Sequence, residues 1–176
     1  MIVLIGFMGA GKTTVGRSLA ARLNLPFIDT DEVIEHASGL SISDIFEGYG
    51  EEGFREIEAR TIAEQLAGPP AVVALGGGAV TTESVRENLA GHQVVLLDIT
   101  LSDALGRLGG DSSRPMLRRP DLGEIFAARE TLYRQVATLR IPVAGRSVAE
   151  LAALVAAGLA DPSAVPLDPE PSEAGE

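Results

Sequence analysis

The sequence contains no cysteine and no tryptophan, and five phenylalanines with two tyrosines hold the aromatic share to 4%. Without thiols there is no disulfide, no thiolate nucleophile and no cysteine-ligated zinc. The only histidines, His36 and His92, lie far apart in sequence. That argues against a histidine-rich metal site and leaves a cation held by oxygen ligands, Mg²⁺, as the one to expect. No run approaches 18 consecutive apolar residues, so no membrane-spanning helix is expected. The opening run Ile2–Ile5 lacks a basic segment and leads straight into glycines. It is expected to be a strand and not a secretory signal, and the location expected is cytoplasmic. Positive charge is scarce as well. Fourteen Lys and Arg face 25 Asp and Glu, a net charge of -11, which argues against nucleic acid as a partner. The deficit is uneven: Asp161, Asp168, Glu170, Glu173 and Glu176 all follow the last arginine, Arg146, leaving -6 for residues 1–160. A modestly acidic body can still gather its arginines at one anionic site.

What is present begins at the sixth residue. Gly6-Phe7-Met8-Gly9-Ala10-Gly11-Lys12-Thr13 matches G-x-x-x-x-G-K-[ST] and follows the strand-like Ile2–Ile5 without a break, with Thr14–Ala20 reading as the helix that leaves it. Glycines at such a turn let successive backbone N–H groups converge on one anion at the positive end of a helix. Gly9, Ala10, Gly11, Lys12, Thr13 and Thr14 are therefore the expected nucleotide-binding set, with Lys12 reaching the terminal phosphates and the Thr13 hydroxyl a ligand for Mg²⁺. A plain glycine-rich turn would account for the glycines but not for Lys12 followed by Thr13.

At 176 residues the chain suits one domain with one sizeable core. Short apolar runs at Ile2–Ile5, Pro26–Asp29, Ala71–Leu75, Gln93–Ile99 and Ile141–Ala144 alternate with helical periodicity at Arg55–Leu66, Ser84–Leu89, Ser102–Leu108, Glu124–Thr138 and Val148–Leu159. This alternation predicts an α/β fold with a parallel sheet covered on both faces, and ligands at the carboxyl ends of its strands. Two stretches interrupt it. Residues 109–123 are rich in glycine, arginine and proline and read as a long functional loop, while four prolines and five acids from Asp161 onward predict a disordered tail, 161–176, behind a domain of residues 1–160.

Three further groups carry chemistry. Asp29-Thr30-Asp31 closes the second strand, where one carboxylate can hold Mg²⁺ through water and another can accept a proton from a hydroxyl nucleophile. The competing reading is that Asp31 N-caps a helix Glu32–Ser38. Gly76-Gly77-Gly78 follows the third strand, and close approach of backbone to a ligand would justify three adjacent glycines. Arg55, Arg129 and Arg114 are candidates for an anionic acceptor and for charge developing on a transferred phosphoryl group, Arg114 standing inside the 109–123 loop. Arg107, just before that loop, could stack on adenine; for each arginine a solvated surface role remains open.

Taken in order, these residues resemble the shikimate kinase family from about Ile2 to Leu159. The resemblance rests on the glycine loop at 6–13, Asp-Thr-Asp at 29–31, Phe-Arg at 54–55, Gly-Gly-Gly-Ala-Val at 76–80, Arg-Pro-Met-Leu at 114–117 and Arg-Glu-Thr-Leu-Tyr at 129–133. It implies a P-loop kinase fold with a central five-stranded parallel sheet and a lid at about 109–123. It also implies ATP-dependent phosphorylation of the shikimate 3-hydroxyl. Thr13 and Asp29 would serve Mg²⁺, Asp31 would orient or deprotonate the attacking hydroxyl, and Arg55 and Arg129 would clamp the carboxylate. Gly77 would add a backbone contact, Arg114 would be the lid arginine, and Arg146 would lie near adenine. The expected partner is a small molecule, with no nucleic acid or membrane, and the expected state a monomer. The rivals are another small-molecule P-loop kinase, for gluconate or a nucleoside monophosphate, and a nucleotide-binding module without transfer chemistry.

Overall fold

Residues 2–5 are apolar and buried at every position, which only a strand covered on both faces allows. In the computed structural model, which describes residues 1–108 and 120–165, this strand lies at the centre of a five-stranded sheet. The strands are β1 (Ile2–Ile5), β2 (Phe27–Asp29), β3 (Val72–Ala74), β4 (Gln93–Asp98) and β5 (Leu139–Pro142), in the order β2-β3-β1-β4-β5. Every neighbouring pair is parallel, with Ile2 level with Val72 on one side and with Gln93 on the other. The chain therefore builds one side of β1 first and then crosses to the other, and this reversal opens a crevice at the carboxyl ends of the strands.

The helices are α1 (Lys12–Leu23), α2 (Thr30–Ser38), α3 (Ile42–Leu66), α4 (Glu83–Asn88), α5 (Leu101–Leu108), α6 (Leu122–Val136) and α7 (Val148–Ala160). Among the described residues, no helix is long and apolar enough to cross a membrane. One large core joins the sheet to α1, α6 and α7, with Leu4, Leu19, Leu97, Tyr133 and Val155 among its buried members. A separate cluster of Ile34, Ile45 and Phe54, flanked by Ile42, Phe46 and Ile57, holds α2 against α3.

Among the boundaries that differ from the sequence-based expectation, three have a clear physical cause. First, α3 begins at Ile42 and not at Arg55, under a capping box in which Ser41 and Asp44 bond each other's backbone N–H groups. It breaks at Gly50, whose φ of 72° only glycine adopts without strain. Second, α6 ends at Val136, short of Thr138. The Thr138 hydroxyl accepts from the Val94 N–H at 2.9 Å and donates to the Val94 carbonyl at 3.1 Å, drawing the chain onto the sheet two residues before the expected Ile141. Third, the folded body does not stop at residue 160. The Asp161 side chain accepts from the Ser163 N–H at 3.0 Å, residues 162–164 form a single 3₁₀ turn, and Val165 is buried against the core. Arg114, most of the 109–123 segment and residues 166–176 lie outside the described residues.

Candidate active site

The loop between β1 and α1 is shaped by Gly6 and Gly11, at φ 142° and 92°; Gly11 is the N-cap of α1. No side chain caps this helix and no acid sits in its first turn, so its N-terminal N–H groups and positive dipole end are left to an external anion. Lys12 folds back over the loop, its Nζ donating to the carbonyls of Gly6 (2.8 Å) and Phe7 (3.2 Å). Ala10 turns its methyl into the core and donates its N–H to Phe7 at 3.2 Å. A cleft of about 490 Å³ opens beside the loop. Gly9, Gly11, Lys12, Thr13 and Thr14 form one wall, Asp29 and Asp31 another, and Gly76, Gly77 and Arg107 close it.

The two aspartates have different tasks. Asp29 is the N-cap of α2, accepting the Asp31 N–H at 3.1 Å through Oδ1 and the Thr13 hydroxyl at 2.7 Å through Oδ2. The capping role considered for Asp31 thus belongs to Asp29, because the helix starts at Thr30. Asp31 sits in the first turn, and its Oδ1 is buried without a hydrogen-bond partner. Burial, then the neighbouring Asp29 and Glu35, hold its carboxyl above 3.8, although Lys12 and Arg55 pull the other way.

Arg55 lies within α3, one turn after the Gly50 break, and pairs with Glu58 at 2.5 Å and with Glu51 at 3.6 Å. Glu58 is 1% exposed. Burial raises its carboxyl above 4.5 against the lowering effect of Arg55, and its Oε1 has no hydrogen-bond partner. The glycine triplet meets this cluster. A Cβ on Gly76 would lie 2.6 Å from Glu58 Oε1 and 2.9 Å from Asp31 Oδ1, and one on Gly78 would lie 2.2 Å from Arg55 Nη2. Close approach thus accounts for Gly76 and Gly78, and the groups that approach them are the protein's own acids and arginine. The middle carbonyl, of Gly77, accepts from the Tyr133 hydroxyl and, at 3.4 Å, from Arg129 Nη1. Arg129 is largely buried, with burial and Arg55 lowering its pKa and Tyr133 and the acids Glu51 and Glu58 raising it.

Asp31, Arg55 and Arg129 are therefore brought into one electrostatic neighbourhood, in which Glu58 and Tyr133 are members that sequence reasoning missed. A signal existed for Glu58: it falls on the buried stripe Phe54, Glu58, Thr61 and Ile62, a position where an unpaired acid would not be tolerated. Arg107 donates to the Gly9 carbonyl at 3.2 Å and the Val143 carbonyl at 3.3 Å, tying the glycine loop to the segment after β5. Arg146, in that same segment, turns to the Pro142 carbonyl at 2.7 Å and does not line the cleft.

The arrangement joins a phosphate cradle, a pair of oxygen donors, a buried carboxylate of raised pKa and two arginines. Such a set can align a hydroxyl with a bound phosphoryl group and hold an anionic acceptor beside it. Comparison with known proteins gives the same direction. Residues 8–159 match the family model described as shikimate kinase. The shikimate kinase of Thermobifida fusca is 46% identical over 159 residues, covering 89% of this chain and 92% of its own. The shikimate kinase from Acinetobacter baumannii, solved in complex with shikimate, superimposes with a TM-score of 0.84 at 38% identity, covering 90% of this chain and 91% of its own. That from Aquifex aeolicus gives a TM-score of 0.83 at 32% identity, covering 92% and 97%.

Proposed function

The chain belongs to the shikimate kinase family, and we propose that it moves the γ-phosphoryl group of ATP to the 3-hydroxyl of shikimate in the cleft at the carboxyl ends of β1, β2 and β3. It is a phosphotransferase of aromatic amino-acid biosynthesis, and its reaction is the ATP-dependent phosphorylation of shikimate. The observation that carries the residue assignment is the buried, partnerless Asp31 Oδ1, set between the Lys12 loop and the Arg55–Glu58 pair.

In this reading the α1 N-terminus and the loop amides from Gly9 to Thr14 bind the phosphates, with Lys12 transferring its bonds from the Gly6 and Phe7 carbonyls to the nucleotide. Mg²⁺ fits Thr13 and Asp29, two hard oxygen donors already in contact at 2.7 Å beside the cradle. When bound there it would neutralise charge on the β- and γ-phosphates. Arg55 and Arg129 hold the acceptor carboxylate, Gly77 supplies backbone at the acceptor, and Asp31 accepts the hydroxyl proton as the new O–P bond forms and ADP leaves. Arg114, outside the described residues, would bring positive charge to the transferring group, and Arg107, on the cleft wall, would flank adenine. We place the protein in the cytoplasm as a monomer, with residues 1–165 as its kinase domain.

ADP release with Mg-ATP, with and without shikimate and with gluconate and AMP as parallel acceptors, tests the reading. Stimulation by shikimate alone is expected. Equal or greater stimulation by gluconate or AMP would overturn the acceptor, and ATP binding without any stimulation would restore the non-catalytic reading.

A further inference from the structure

Phe126, Arg129 and Tyr133 recur at helical spacing along α6 and meet both glycine segments of the site. Phe126 packs edge-on to Phe7 of the phosphate loop, with ring centres 5.0 Å apart, and the Arg129 guanidinium stands 5.9 Å from the centre of that same Phe7 ring. One turn further on, the Tyr133 hydroxyl donates to the Gly77 carbonyl, the oxygen on which Arg129 also leans. Tyr133 is only 3% exposed and does not line the cleft.

A buried phenol needs an acceptor, but many carbonyls would serve. The one used here lies between Gly76 and Gly78, where the missing side chains leave room for Asp31, Glu58 and Arg55. Glycine backbone is the least restrained of any, so the wall against which these three groups rest is intrinsically loose. Holding the Gly77 carbonyl fixes the planar unit between Gly77 and Gly78. The same bond gives Arg129 a fixed oxygen to orient its fork. We infer that Tyr133 is a positioning residue for the acceptor half of the site, acting through the Gly77 carbonyl on the glycine wall and on Arg129. The inference rests on the proposed assignment of that half to shikimate.

Tyr133→Phe removes the hydroxyl and keeps the ring, and steady-state kinetics and thermal melts read the result. The expected outcome is a rise of about tenfold in KM for shikimate, equivalent to about 1.4 kcal/mol. KM for ATP and kcat should stay within about twofold, since the lost group contacts neither the nucleotide loop nor the attacking atom. Unchanged shikimate KM would overturn the inference. So would a parallel loss in both KM values and kcat with a lowered melting temperature, or failure to fold, which would mark a structural role. In an Arg129→Lys background the tyrosine effect should shrink, because the shared carbonyl has lost one dependant; the full effect in both backgrounds would overturn the route through it. Absence of shikimate turnover in the unmodified protein would instead sink the functional assignment, and the inference with it.

Discussion

At the scale of single residues, the fold holds ionisable groups in the site at a cost to its own stability. Asp31 shows this most directly. Its carboxyl, raised above 3.8 chiefly by burial, is costly to ionise in the folded state. A raised folded pKa means that the group's contribution to stability is complete below 3.8 and is lost as pH climbs through the folded value. Asp31→Asn should therefore melt at a higher temperature than wild type at neutral and alkaline pH, with the gap closing as pH falls toward 3.8. The same variant should lose about 10²- to 10⁴-fold in kcat, the usual worth of a placed acid or base. An inactive variant with an unchanged melting curve across pH would contradict the stability argument. In the wild type, the acid limb of kcat/KM should fall above 3.8, since kcat/KM reports the free enzyme. Gly76→Ala tests the packing that creates this environment. Its Cβ would stand 2.6 Å from Glu58 Oε1 and 2.9 Å from Asp31 Oδ1, so a loss of about 1–3 kcal/mol on denaturant titration is expected, with weakened shikimate binding by calorimetry. Wild-type stability in that variant would show that the two acids move aside freely.

At the scale of elements, α3 is the informative case. Its second half was legible in the sequence because Phe54, Ile57, Ile62 and Leu66 keep helical spacing from Arg55 onward. Its first half was not, because Gly48, Gly50 and Gly53 dilute the pattern and its apolar residues serve the separate cluster of Ile34, Ile45 and Phe54. The glycine just before the break and the glycine at it behave oppositely. Gly48 has a helical environment with nothing within 4 Å of a new Cβ, so Gly48→Ala should stabilise by about 0.5–1 kcal/mol. Gly50 also has open space, but its φ of 72° penalises any Cβ, and Gly50→Ala should destabilise by about 1–2 kcal/mol. Chemical denaturation of the pair checks the signs; two changes of the same sign would show that the break is not set by Gly50. The phosphate loop and the Asp29–Asp31 segment were legible because each is a local pattern on a strand end. Glu58 was legible from its place one helical turn after Arg55 on the buried stripe of α3, whereas Tyr133 was not, since its partner Gly77 meets it through packing that no spacing encodes.

At the scale of the molecule, the sheet order gathers the glycine loop, Asp29, Asp31 and the glycine triplet on one rim, and the described residues continue past α7 to a buried Val165. Val165 packs where Gly158 leaves room, 2.6 Å from where a Cβ would stand, and helps seal α7 against β5. Val165→Ala should cost about 1–2 kcal/mol, or about 2–8 °C in melting temperature for a chain of this size, with kcat unchanged. A melting curve identical to wild type would mean that the 3₁₀ turn and Val165 are passengers. The charge of the whole molecule has a further consequence for Lys12, whose ammonium rests on the Gly6 and Phe7 carbonyls. All thirteen other basic side chains are arginines, so Lys12 is the only lysine in the sequence. Apart from the α-amino group that begins the chain, an acylating reagent has one aliphatic amine to find, and it stands in the nucleotide loop. The ATP-sensitive part of the labelling, the remainder belonging to the α-amino group, would thus count occupancy of a single site with no engineered tag.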